Sequence, residues 1–578
     1  MRFPAKEAVL LGALRAHCTI IVCAVCASFG GPAQAQIVPD AGSILRQQEQ
    51  KPPEVPTRPA PTIKQEEPAR PALKPADAPR FMLKGFRVTG NTVFAESELV
   101  ELVREYVGKE VAFADLEQAA ARISRYYRER GYMVARAYIP AQTITTAGVV
   151  EIAVIEGRFG KVELDNKSRV RDSVVRGYLD AFPGTLVKEP ALERKLLLLN
   201  DLPGVGEARA TLRPGAQVGE SDLTAELTAA PFATGSVEYN NQGNTFTGAN
   251  QLVGYLSLLS PLGLGDALNA QLTHGFDGLD YGRLAYQIPV GSDGFKLDGA
   301  YSKTDYRLGK TLFSGLDASG EADTYTLDAR YPFIRTPNFN LYGQAAYDWR
   351  DFQDRLATVT DKSTRAARLT LSSDARDRLL GGGITVFSLG YSDGSVNIET
   401  PGARAFDDAG LQTNGHFDKW NVNALRLQSI GERLSVFVSL SGQKAGKNLD
   451  SSEKFFLGGA YGVRAYPTGE AAGDSGYLAT AELRYTFIIA ALPGVLQPFA
   501  FVDTGGVTIN DNPYTAAGVP IAGPNTRHLT GGGLGLTWVR ASDFQVKLMV
   551  ATRLGSEHST ASDTDQRTRG WVQAIKYF

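Results

Sequence analysis

The sequence predicts a transmembrane antiparallel β-barrel of about 16 strands, preceded by two small α/β modules and a short N-terminal helix. Three observations predict it. From Phe232 to Phe578 apolar and polar residues alternate with period 2. Between Phe81 and Pro231 the same order of strand and helix patterns occurs twice. The chain opens with Arg2, Lys6 and Arg15, then the apolar run CTIIVCAVCASF (18–29) and Ala33-Gln34-Ala35. That is the pattern of an export signal with a small-residue cleavage site, placing the mature chain beyond the inner membrane.

The elements follow in order. Residues 1–35 read as the signal peptide; the apolar run is too short for a membrane helix. All three cysteines, Cys18, Cys23 and Cys26, lie inside it, so the mature chain has neither a disulfide framework nor thiolate chemistry. Residues 36–50 contain a short helix, DAGSILRQQEQ, which Asp40 or Ser43 could cap. It carries only Ile44 and Leu45 as strong apolar residues and would be marginal alone. Residues 51–80 hold nine prolines and read as an extended, semi-rigid spacer.

From 81 to 157 the pattern is strand (FRVTGNTVF, 86–94), two helices (97–107 and 113–131) and two strands (132–140 and 148–157). Leu116, Ala120, Ile123 and Tyr127 share one helical face, and Gly131 is placed to stop that helix. Residues 158–231 repeat the order at a period of about 75 residues, which makes two tandem β-α-α-β-β modules. So small a sheet leaves an edge strand open to addition of an extended peptide.

In the region 232–578, Leu268, Ala270 and Leu272 alternate with Asn269, Gln271 and Thr273. Tyr325, Leu327, Ala329 and Tyr331 alternate with Thr326, Asp328 and Arg330, and Phe544, Val546, Leu548 and Val550 with Gln545 and Lys547. A soluble sandwich also alternates. Here the polar side carries Arg, Asp, Lys and Gln in mid-strand and the apolar side is rich in Tyr, Leu and Ala, which fits lipid outside and water inside. Strand-plus-turn units of roughly 22 residues across this region give about 16 strands.

This order of segments resembles the two-partner secretion transporters of the TpsB type, the haemolysin and filamentous-haemagglutinin transporters, which are relatives of the BamA insertases. FFLGGAYGVRAYPTGEAAGDSGYLATAELRYTF (455–487) is similar to the family's sixth-loop motif, whose usual core is V-R-G-[YF]. Val463, Arg464 and Tyr466 match, and Ala465 stands in place of the glycine. FVDTG (501–505) is similar to the companion strand motif through Phe501, Asp503 and Gly505. SPLGLGD (260–266) and YQIPVG (286–291) match strand-end patterns more loosely.

The resemblance implies that the modules are POTRA domains and that the early helix plugs the pore. It also implies a lock in which Arg464 pairs with Asp503. Period 2 puts Phe501, Asp503 and Gly505 on one strand face, and a mid-barrel aspartate belongs to the lumen. Phe578, the terminal aromatic, is the implied assembly signal for the barrel. The implied function is export of a large unfolded TpsA-type exoprotein, an adhesin or haemolysin, across the outer membrane without catalysis. The implied partners are that exoprotein, outer-membrane lipid, periplasmic chaperones and the barrel-assembly machinery.

Other chemistry finds little support in the sequence. A formal net charge of -2 offers no electrostatic footprint for nucleic acid. His274, His416, His528 and His558 stand singly, without metal-ligand spacing. EHSTASDTD (557–565) falls where an extracellular loop is expected, and no Gly-x-Ser-x-Gly element occurs. SSDARD (372–377) and SDGS (392–395) read as turn chemistry. No cofactor is expected. The alternative is a BamA-like insertase, disfavoured because residues 81–231 leave room for only two modules; a diffusion porin would need neither modules nor a loop lock.

Overall fold

The computed structural model describes residues 39–50, 61–65 and 80–578, except 145, 310–314, 316, 357 and 563. The signal peptide lies outside the described residues. Between Ala233 and Tyr577, sixteen described strands form one closed barrel in which every neighbouring pair is antiparallel and consecutive along the chain. The first strand, Ala233–Asn240, closes on the last, Thr568–Tyr577, with Ser236 opposite Tyr577 and Asn240 opposite Gln573. Beyond that ladder Phe578 exchanges two backbone hydrogen bonds with Gly235, both 3.0 Å, and ties off the seam.

The outward face carries Leu272, Leu284, Tyr325, Leu327, Leu369, Leu534 and Val550 in exposed positions. Lumen positions on the barrel strands hold Thr273, Thr324, Arg350, Lys362 and Asp503, all buried. With period 2 this inversion is the expected result of lipid on one side and a polar interior on the other.

The first module orders its strands Gly85–Thr89, Val149–Ile155, Arg136–Tyr138, the first two parallel and the last two antiparallel. Helix Phe113–Glu129 covers them, burying Leu116, Ala120, Ile123 and Tyr127. The predicted helix over 97–107 is shorter, Glu96–Glu101 followed by a single 3-10 turn. Glu156 accepts hydrogen bonds from Thr92 N at 2.6 Å, Val93 N at 2.8 Å and the Tyr127 hydroxyl at 3.0 Å. Burial pushes its carboxyl up, but hydrogen bonds led by Thr92 outweigh that and leave it below the ordinary value.

The second module repeats the arrangement with Arg158–Asn166, Glu220–Ala229 and Val205–Pro214. It adds a fourth strand, Thr62–Gln65, parallel to Val205–Pro214 on the outer edge. The proline-rich segment is therefore more than a spacer, and one of the second module's two sheet edges is occupied by the chain itself, while Arg158–Asn166 remains an edge strand.

The second module seats on three turns of the barrel. Arg335 forks onto Asp201 at 2.8 and 3.0 Å, Lys195 meets Asp293 at 3.0 Å, and Arg171 N donates to Gly263 O at 2.9 Å. SSDARD and SDGS are not turns: they belong to strands Val359–Asp377 and Gly383–Ile398. Their Ser and Asp side chains satisfied a turn pattern, but both segments lie inside a continuous barrel ladder.

Candidate functional site

The lumen is filled by two segments, the N-terminal helix and the long loop between strands Leu434–Ala445 and Ser475–Tyr485. The loop folds back into the barrel and brings Leu457, Val463, Ala465 and Tyr466 into one cluster with Phe499, Phe501, Met549 and Trp571 of the wall. At its centre Arg464 is 3 % exposed and Asp503 0 % exposed.

Arg464 Nε donates to Asp503 Oδ2 at 2.8 Å and Nη2 to Oδ1 at 2.7 Å, a bidentate fork. The backbone N of Arg464 adds a third bond to the same carboxylate at 3.1 Å. Nη1 turns the other way, to Glu482 Oε1 at 2.6 Å. Arg484 neutralises the remaining Glu482 oxygen at 2.6 and 2.8 Å. The Phe501 ring lies 3.5 Å from the guanidinium carbon, and Trp571 Nε1 donates to Arg464 O at 2.7 Å. Two cations thus face two anions, with donors and acceptors matched, the condition for holding charge out of bulk water.

The other members of the two motifs surround this pair. Val463 is fully buried, and the Tyr466 hydroxyl donates to Glu557 O at 3.1 Å. Gly505 is required by space: a Cβ there would lie 2.6 Å from Leu457 Cδ2 and 2.7 Å from Tyr477 O. Ala465 has no positive φ, so the absent glycine brings no backbone strain; the non-glycine left-handed residue of this loop is Ala471, at φ 52°. The Ala465 methyl is accommodated by Gly531, which pairs with Asp503 on the neighbouring wall strand and where a Cβ would come within 2.6 Å of it.

Sequence reasoning missed a second anchor of the loop. Glu470, fully buried, meets Arg527 at 2.5 Å and accepts from Thr560 N at 2.8 and 3.0 Å and from Ala561 N at 2.8 Å. The segment EHSTASDTD, read as an extracellular loop, supplies those donors, so it turns partly inward onto Glu470.

Helix Ala41–Glu49 lies across the lumen, capped by Asp40, whose carboxylate accepts from Ser43 N at 2.9 Å. Ala41, Ile44 and Leu45 pack on Phe246, Tyr281, Tyr306 and Phe352 of the wall. Polar contacts hold both ends. Lys362 Nζ donates to Asp40 at 2.9 Å and to Asp450 of the folded-in loop at 2.9 Å. Arg350 bridges Glu49 at 3.5 Å and Glu453 at 2.9 Å. Helix and loop touch directly: a Cβ on Gly42 would lie 2.7 Å from Ser451 Oγ.

Lys362 and Arg350 stand on no motif the sequence analysis singled out, and Glu470 and Glu482 lie within the 455–487 stretch but outside its V-R-G-[YF] core. Period 2 places the three strand residues on the lumen face, but Lys362 reaches Asp40 across 322 positions, Arg350 reaches Glu453 across 103 and Glu470 meets Arg527 across 57, which leaves no local signal. Among the described residues no cluster of His, Cys, Asp or Glu is placed to hold a metal. His274 and His416 pair with Asp280 and Asp393 at 2.7 and 2.8 Å on exposed strand ends.

The sequence matches the haemolysin secretion/activation protein family ShlB/FhaC/HecB over residues 219–538, and the ShlB-type POTRA domain over 81–157. It is 28 % identical over 548 residues to the heme/hemopexin transporter protein HuxB of Haemophilus influenzae, covering 93 % of this chain and 95 % of that protein. Among solved structures it superposes on CdiB from Escherichia coli with a TM-score of 0.69 at 21 % identity, covering 93 % of this chain and 96 % of that one. CdiB from Acinetobacter baumannii gives 0.61 at 17 %, covering 90 % and 95 %. With an arginine-locked loop and a helix across the lumen of a sixteen-stranded barrel that follows a POTRA module, the chain belongs to the ShlB/FhaC/HecB family, the TpsB transporters of two-partner secretion.

Proposed function

We propose that this chain exports one large exoprotein of the TpsA class, an adhesin or haemolysin, through its own barrel. The barrel spans the outer membrane and the modules face the periplasm. The observation that carries the reading is that the lumen is closed by two separable segments, the helix Ala41–Glu49 and the loop around Arg464, each held by side-chain ion pairs and joined to the barrel wall through Lys362, Arg350 and Asp503. A diffusion pore has no use for such a removable closure.

The exoprotein arrives unfolded, delivered by periplasmic chaperones, and an extended segment of it adds to a module edge by main-chain hydrogen bonding. The helix leaves the lumen, and the chain threads outward and folds outside. No step requires a cofactor or catalysis by this chain. The transporter itself reaches the membrane through the barrel-assembly machinery, with Phe578 as the terminal signal. Loop position is set by Arg464, whose buried pair contributes more to geometry than to net stability.

A photo-cross-linking residue at Thr304 in the lumen, at Leu272 on the lipid face or at Val237 on the seam tests this. With a stalled exoprotein, adducts are expected from Thr304 and not from Leu272. Adducts from Val237 to nascent barrel proteins, with none from Thr304, would instead make the chain a BamA-like insertase.

A further inference from the structure

The second module's sheet ends on a strand that the chain itself has covered. Thr62–Gln65 pairs in parallel with Arg209–Leu212, Ile63 opposite Ala210. Ile63 is its apolar anchor, packed against the cluster that contains Ala210, Leu212 and Leu223; Lys64 and Gln65 are exposed.

This added strand is built to be weak. It is four residues long, while the strand beneath it runs from Val205 to Pro214. Parallel pairing is slightly less stable per residue than antiparallel. Pro61 immediately before it and Pro68 shortly after lack the N–H that would extend the ladder in either direction. A single large apolar side chain holds it in place. In the first module the equivalent edge is Arg136–Tyr138, three residues long, and offers much less backbone.

We propose that the outer edge of Val205–Pro214 is the port at which the exoprotein docks, and that Thr62–Gln65 is a self-ligand occupying it until the exoprotein displaces it. The occupant is an extended segment with an apolar side chain at the Ile63 position and no proline, able to pair along more of the ten-residue strand than the self-strand does. The inference rests on the reading of the chain as an exporter and specifies where its partner binds. It also connects recognition to opening. Residues 50–61 join the self-strand to the helix in the lumen and reach at most about 40 Å when fully extended, so release of Thr62–Gln65 lengthens the tether on which that helix is held.

The test uses the full chain in detergent micelles and a fluorescein-labelled peptide of residues 58–69 as probe. Ile63→Asp empties the edge by removing the anchor, and the probe is expected to bind that variant about tenfold more tightly than wild type. Lys64→Pro, which breaks the pairing without touching the anchor, is expected to act in the same direction. Equal binding to wild type and both variants would overturn the proposal.

The second arm adds the urea-unfolded protein that disappears from culture supernatant when the gene is deleted. Displacement of the probe from Ile63→Asp supports the port. Binding without displacement overturns the port and leaves partner recognition standing. No binding at all overturns both.

Discussion

Through its side chain and backbone, Arg464 makes five hydrogen bonds with the wall side chains of Asp503, Glu482 and Trp571, within a site of almost no solvent exposure. Such a pair has little net worth beside an apolar replacement, but breaking it by removing one partner costs about 3–5 kcal/mol because a buried charge is left alone. Arg464→Asp and Asp503→Arg are each expected to abolish secretion. Together they do not simply restore it, because the new carboxylate at position 464 faces Glu482, 2.6 Å from the original guanidinium nitrogen. Adding Glu482→Gln removes that repulsion, and the triple variant is expected to recover part of the secretion measured in culture supernatant. Full recovery in the double variant would show that Glu482 is not part of the lock. No recovery in the triple variant would contradict charge pairing as its basis.

Elements meet in this barrel through a few cations shared between them. Lys362 belongs to a wall strand but serves the helix through Asp40 and the folded-in loop through Asp450. Lys362→Met leaves the buried Asp450 and the part-buried Asp40 without their shared cation, so the lumen loses its main polar tie. In planar bilayers the variant is expected to conduct more, and more often, than wild type; an unchanged conductance would show that packing of Ile44 and Leu45 alone holds the helix.

The helix, the two modules and the barrel were legible in the sequence because each depends on local period or spacing, and the helix cap was narrowed to Asp40 or Ser43. The Arg464–Asp503 contact was legible only because two recognisable motifs contain its partners. Lys362, Glu470 and Arg527 were not, since nothing in period 2 says which lumen residue meets which across the barrel. The strand Thr62–Gln65 was hidden for another reason: nine prolines dominate the composition around it, and pairing over only four residues carries too short a pattern to stand out. SSDARD and SDGS failed in the opposite direction, turn-like residues overridden by a ladder that runs through them.

At the scale of the molecule the contacts form a series from periplasm to surface. The second module is fixed to the barrel by Asp201 and Arg335, its edge is held by Thr62–Gln65, the helix Ala41–Glu49 is held by Lys362 and Arg350, and the loop is held by Asp503 and Glu470. Each is a short contact between elements far apart in sequence. An incoming extended chain could exchange them one after another without any external energy source being part of this protein. The central claim is that this series serves one dedicated partner. A paired proteome of culture supernatant and outer membrane, with and without the gene, tests it most directly. Loss of one very large secreted protein with other outer-membrane barrels unchanged is the predicted result; a fall in many barrels with the supernatant unchanged would contradict it.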